Sequence, residues 1–142
     1  METLQPDIDQ ANLDHRVTRG VGYYSADPVY AAIIRSAWAL GYQLLAYEDE
    51  GKIYEDDAQS GNYLTPCDSS AKADWVTAVK PIDETFVNKL QMVREKHQAC
   101  NLTQAIGKMS GDAKMIIIVG YDHVRRTPDP SGLRWMAAYL EA

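Results

Sequence analysis

Phenylalanine, cysteine and basic charge are all scarce in this chain. It has one Phe, two Cys, and 14 Lys plus Arg against 20 Asp plus Glu, for a formal charge of −6. Nucleic acid and anionic membrane surfaces both need clustered Lys and Arg to neutralise phosphate, and the only basic doublet is Arg125-Arg126, so the charge argues against either partner. The cysteines, Cys67 and Cys100, stand far apart with no CxxC. Neither a disulfide framework nor a zinc-thiolate site is signalled, and a reduced pair is expected. No apolar run approaches about 18 residues and no basic, apolar leader opens the chain. These absences predict a soluble protein with no membrane span and leave its compartment, cytoplasmic or exported, open.

What is present is enough apolar material, 46% of 142 residues, for one core and too little length for two comfortable domains. The stretch before Asp27 holds Pro6, Gly20 and Gly22 without a sustained period and reads as loop with a short turn of helix. Asp27 then offers an N-cap, Pro28 a first helical residue, and Val29, Ile33, Ala37 and Leu40 a helical spacing up to Gly41, which predicts a helix over 28–40. "YQLLAYE", Tyr42 to Glu48, has strand length and strand composition. From Glu48 to Asp57 six of ten residues are acidic, and turn formers follow, so 49–74 reads as an acidic surface excursion. It lacks the alternating Asp/Asn pattern of an EF-hand. "WVTAVK", Trp75 to Lys80, is too short to assign.

Pro81-Ile82-Asp83 opens a long helical pattern that runs to Ile106 and closes at Gly107. At about 100° per residue, Ile82, Phe86, Leu90, Val93 and Cys100 share its apolar face, while Asn88, Lys89, Glu95 and Lys96 point away. Arg94 and Asn101 lie at the edge of the apolar arc and His97 inside it. These are either a snorkelling arginine and a satisfied core histidine or a polar stripe facing an interior site. "AKMIIIVG" reads as a strand buried on both faces, and Ser131 as the cap of a last helix carrying Leu133, Met136, Ala137 and Leu140 on one face.

Helix, glycine and strand in this order predict an α/β fold with a central, largely parallel sheet flanked by helices. Ligands in such folds bind beyond the carboxyl ends of the strands. His123 follows one such end and Glu48 closes the other, with Gly120 expected to let the chain turn sharply and aim His123 across the sheet. One histidine and one carboxylate there suit a proton-transfer pair or two metal ligands, with His123 the best candidate for a metal. A structural histidine is the competing reading.

The ordered blocks "RGVGYYSADPVYAAIIRSAWALGYQLLAYE", "VREKHQACNL", "KMIIIVGYDHV" and "GLRWMAAYLEA" resemble the C-terminal part of bacterial proteins in the superfamily of erythromycin esterase, the ChaN-like haem-binding proteins and the TIKI-type peptidases. The resemblance implies an α/β domain in which Glu2, in "ETL", is the middle Glu, Arg94 and Asn101 are the helix pair, and Gly120 with His123 is the late motif. No Gly-Glu-x-His occurs here, so the resemblance implies the C-terminal part of a larger domain, with an uncovered sheet edge through which the chain would self-associate. It also implies a His- and Glu-dependent hydrolase acting on an ester, lactone or peptide-like small molecule. His123 is then the base or ligand, Glu2 and Glu48 tune it, and Arg94, with Asn101, Tyr121, His97 and Tyr24 nearby, holds the substrate. The alternatives are a ChaN-like haem- or ligand-binding protein, in which His123 or a tyrosine such as Tyr121 or Tyr24 meets the iron, and a non-catalytic remnant. No cofactor is required by the sequence; haem or a divalent metal stays open.

Overall fold

The computed structural model describes residues 5–48, 54, 57, 58, 67 and 85–141. The chain divides into two compact units, Met1–Glu50 and Gly51–Ala142. Among the described residues there are helices and no strand, which overturns the expected α/β fold with its central parallel sheet.

In the first unit α1 spans Gln5–Asp14, where only loop and a turn were expected. Its apolar content is small, and Ile8 and Ala11, one turn apart, are the buried pair. Two short 3₁₀ turns, Arg19–Val21 and Tyr23–Ala26, lead into α2, Pro28–Ala39. The Asp27 side chain accepts from the Val29 N–H at 2.8 Å, as the N-cap reading required. The helix ends in a Schellman arrangement: Gly41 N–H donates to Trp38 O and Tyr42 N–H to Ala37 O, both at 2.9 Å, with Gly41 at φ +82. The buried face is not the expected one. Ala31 and Trp38 are covered, whereas Val29 and Leu40 are 66% and 76% exposed.

The segment 42–48 is assigned to no strand, and side-chain amides of α1 bond to its backbone. Asn12 Oδ1 accepts from Leu44 N–H at 2.8 Å and Asn12 Nδ2 donates to Leu44 O at 2.9 Å, so one amide side chain satisfies both peptide groups of Leu44. The same Oδ1 accepts from Trp38 Nε1 at 3.0 Å, and Gln5 Oε1 accepts from Ala46 N–H at 3.0 Å. A strand composition has here been used to line a helix.

In the second unit α3 spans Phe86–Lys108, capped by Thr85, whose hydroxyl accepts from Asn88 N–H. It runs through Gly107, the expected stop; the expected opening at 81–83 and the unassigned 75–80 lie outside the described residues. α4, Met136–Leu140, packs against α3 and is shorter than expected. Ser131 caps no helix: Asp129 Oδ1 accepts from the Ser131 N–H, the Ser131 hydroxyl and the Leu133 N–H, which makes 129–133 a turn. Met92, Val93, Ala99 and Leu102 of α3 and Met136, Ala138 and Tyr139 of α4 are buried, and Tyr54 and Ala58 join Met92 and Val93 in one apolar cluster. The segment 113–119 is assigned to neither helix nor strand, with Met115, Ile117 and Val119 half-buried and Ile116 and Ile118 exposed. That alternation replaces the expected burial on both faces.

Cys67 and Cys100, expected as thiols, form a disulfide across a sequence separation of 33. Distance along the chain hid their proximity. A cross-link closing a loop of that length constrains the unfolded chain by about 4 kcal/mol in the chain-entropy account. No helix among the described residues is long and apolar enough to cross a membrane.

Candidate functional site

α3 buries charge as well as hydrocarbon. Glu95 is fully buried and Lys96 nearly so, although the helical wheel turned both towards solvent. The wheel assumed one apolar arc, and α3 is covered on more than one side, which a single-stripe reading cannot register.

Glu95 is held by three donors. Its Oε2 accepts from His123 Nδ1 at 2.7 Å and from the Met136 N–H at 2.9 Å, and its Oε1 accepts from Gln91 Nε2 at 2.6 Å. Gln91 lies one turn earlier on the same helix. Met136 is the first residue of α4, so the carboxylate also satisfies an N–H that has no partner within that helix. A buried carboxylate without such donors would cost several kcal/mol; with them it fixes everything that points at it.

His123 sits in a 3₁₀ turn, Tyr121–Val124, rather than at the end of a strand. Since the ionised carboxylate can only accept, Nδ1 carries the proton of this bond, and Nε2 is the ring nitrogen left for other chemistry. The His123 side chain is 20% exposed, so the ring reaches solvent while its partner does not. Trp135 meets it edge to face, centroids 6.1 Å apart, and the Trp135 indole N–H is buried with no hydrogen-bond partner. Gly120 precedes the turn at φ −69, ψ 161, extended backbone open to any residue, so the sharp glycine turn expected there is not what places His123.

A second histidine–carboxylate pair lies on another side of α3. His97 Nε2 is 2.7 Å from Asp57 Oδ2, and the Tyr54 ring meets His97 edge to face at 5.4 Å. Burial pushes the neighbouring Lys96 ammonium below its ordinary value, with the Asp57 charge acting in the opposite direction. Burial likewise pushes the Arg134 guanidinium down, offset by the charge and hydrogen bond of Tyr139. Among the described residues no three of His, Cys, Asp and Glu converge to hold a metal.

The sequence-predicted residues are distributed as follows. His123, with Arg94, His97 and Asn101 of α3, belongs to the second unit, and Arg94 and Asn101 are half-buried. Tyr121 is in the same turn as His123 but 84% exposed. Glu48 and Tyr24 belong to the first unit, where Tyr24 stacks on Tyr30 at 5.2 Å. Glu2 lies outside the described residues. The residue missed by sequence is Glu95, and Asp57 with it. An acidic residue one turn from Gln91 in a helix that also carries His97 is the weak signal that pointed there.

No protein-family model, curated protein or solved structure matches the chain. The resemblance to the erythromycin esterase superfamily rests on the sequence blocks alone.

Proposed function

We propose that the chain is a hydrolase-type protein in which His123 acts as general base on a small ester, lactone or peptide-like substrate. The observation that supports this most is the 2.7 Å contact between His123 Nδ1 and buried Glu95. A carboxylate that fixes the Nδ1–H tautomer leaves Nε2 with a lone pair pointed away from the anchor, which is the arrangement a general base needs. Glu95 thus takes the orienting role that the sequence assigned to Glu2 and Glu48.

In the reaction, Nε2 removes a proton from water as its oxygen bonds to the substrate carbonyl carbon. The tetrahedral adduct then collapses, the bond to the leaving oxygen or nitrogen breaks, and the imidazolium returns the proton to the leaving group. Arg94, half-buried on α3, is the candidate to hold the oxyanion or a substrate carboxylate. The buried Trp135 N–H is a further donor in the cluster. Self-association is proposed on the exposure of Ile116, 66%, and Tyr121, 84%, and sedimentation at several concentrations checks it.

A panel of ester, lactone and peptide substrates, assayed with and without chelator, tests the reading. Turnover that falls about 10²- to 10⁴-fold in His123→Gln supports it. Turnover unchanged in that variant, or none on any substrate, contradicts it.

A further inference from the structure

We propose that the segment 113–119 is the contact between two copies of this chain, which pair antiparallel as a short β-ladder about Ile117. The proposal rests on the self-association read from the exposure of Ile116 and Tyr121, and names its segment, its register and its partner, a second copy. From Lys114 to Gly120 exposure alternates without a break: Met115, Ile117 and Val119 are half-buried, and Lys114, Ile116, Ile118 and Gly120 are exposed. A period of two is the mark of extended backbone, and Gly120 continues it at φ −69, ψ 161. In such a chain the N–H and C=O of alternate residues point to the same edge. Met115, Ile117 and Val119 share one edge, and among the described residues none of the three makes a backbone hydrogen bond. Unbonded donors and acceptors in line along an apolar run are what an added strand satisfies.

The sequence of the segment selects a second copy as that strand. A two-fold axis through Ile117 sets Ile117 opposite itself, Met115 opposite Val119, Ile116 opposite Ile118 and Lys114 opposite Gly120. Met115, Ile117 and Val119 then exchange N–H···O=C bonds across the axis. Ile116 and Ile118 fall in the non-hydrogen-bonded positions, where side chains of the two strands approach most closely. They are 66% and 54% exposed, so this register covers the two large apolar side chains that the segment leaves in water.

Other two-fold registers do worse. An axis through Ile116 sets Lys114 against Ile118, one through Ile118 runs the ladder into the 3₁₀ turn Tyr121–Val124, and one between residues sets a half-buried face against an exposed one. Lys114 is the sole charge from 113 to 121, so the copies meet here without the like-charge contacts that a formal charge of −6 threatens elsewhere. Each Lys114 also comes near the end of the other strand, where Asp122, 54% exposed, follows Gly120 by two residues. The pairing uses the same edge of both copies and so closes at a dimer.

The test measures amide hydrogen exchange of the full chain by ¹H–¹⁵N NMR at several concentrations, beside sedimentation of the wild type and of Ile116→Lys. Ile116 is exposed, so the lysine is expected to leave the fold, read by circular dichroism, unchanged. The expected result is a dimer with the Met115, Ile117 and Val119 amides protected and the Lys114 and Ile116 amides not. That protection is lost on dilution, and in Ile116→Lys, as the chain becomes monomeric. A wild type that stays monomeric overturns the proposal and self-association with it. A dimer with all five amides unprotected, or one that Ile116→Lys leaves intact, overturns the ladder and leaves self-association through another surface. Protection independent of concentration overturns the ladder as well, because it places the bonding partner within one chain. If Ile116→Lys loses its fold, the exchange pattern of the wild type still decides.

Discussion

Glu95 Oε2 lies 2.7 Å from His123 Nδ1 across 28 residues of sequence, and the same oxygen takes the first N–H of α4. Replacing Glu95 by Ala leaves three donors facing a buried void. Glu95→Ala is expected to cost about 3 kcal/mol in urea unfolding, as removal of one partner from a buried charged network does. Glu95→Gln should cost less, because the Gln91 amide can reverse and offer its oxygen to the new amide. A loss below about 0.5 kcal/mol in Glu95→Ala contradicts the arrangement.

Asn12 is the corresponding anchor of the first unit. Asn12→Ala strands the Leu44 N–H, the Leu44 carbonyl and the Trp38 indole N–H together. About 2–3 kcal/mol of stability should be lost, read from the denaturant midpoint at unchanged slope. Asn12→Asp keeps the acceptor for two donors and should fall between the two. A neutral Asn12→Ala would mean that 42–48 is held by something other than α1.

Much of this was legible in the sequence where a single residue does the work. Asp27, Pro28 and Gly41 delimit α2 because capping and left-handed backbone are local properties. Strand composition at 42–48 and 113–119 pointed to strands that the described residues do not form; at 42–48 the side chains of Asn12 and Gln5 bond peptide groups that a neighbouring strand was expected to meet. His123 was found from its position after an apolar run. Its partner was not, because the wheel that placed Glu95 in solvent knew nothing of α4 or the turn at 121–124 covering a second side of α3.

Gly120 offers a clean check on how His123 is placed. Among the described residues a Cβ built there meets only His123 Cδ2, at 3.5 Å, ordinary van der Waals contact, and φ is −69. Gly120→Ala should therefore change stability by no more than about 0.5 kcal/mol and leave turnover intact. A large loss would restore to this glycine the special conformation that the sequence suggested.

Lys96 and Asp129, among the described residues, contribute to the pH dependence. Lys96 titrates below its ordinary 10.5 because burial disfavours the ammonium. Between its folded value and 10.5 the unfolded chain binds more protons, so this group makes stability rise with pH through that window, and Lys96→Met should remove that rise. For Asp129 burial acts upward, but the hydrogen bonds from Ser131 and Leu133 and the Arg125 charge prevail and hold the carboxyl below its ordinary 3.8. Its contribution is present above the ordinary value and lost as pH falls through the folded one. Asp129→Asn should flatten the acid limb of urea unfolding measured across pH; an unchanged limb contradicts the turn's role.

The claim that a buried carboxylate orients His123 is tested most directly by the tautomer of that ring. Long-range ¹H–¹⁵N correlation at a pH where His123 is neutral should show the proton on Nδ1, slow to exchange, with Nε2 carrying the lone pair. In Glu95→Ala, where no acceptor faces the ring, the Nδ1 proton should exchange fast and the two tautomers should mix. A wild-type ring protonated on Nε2, or one averaging between tautomers as an imidazole in water does, would contradict the account.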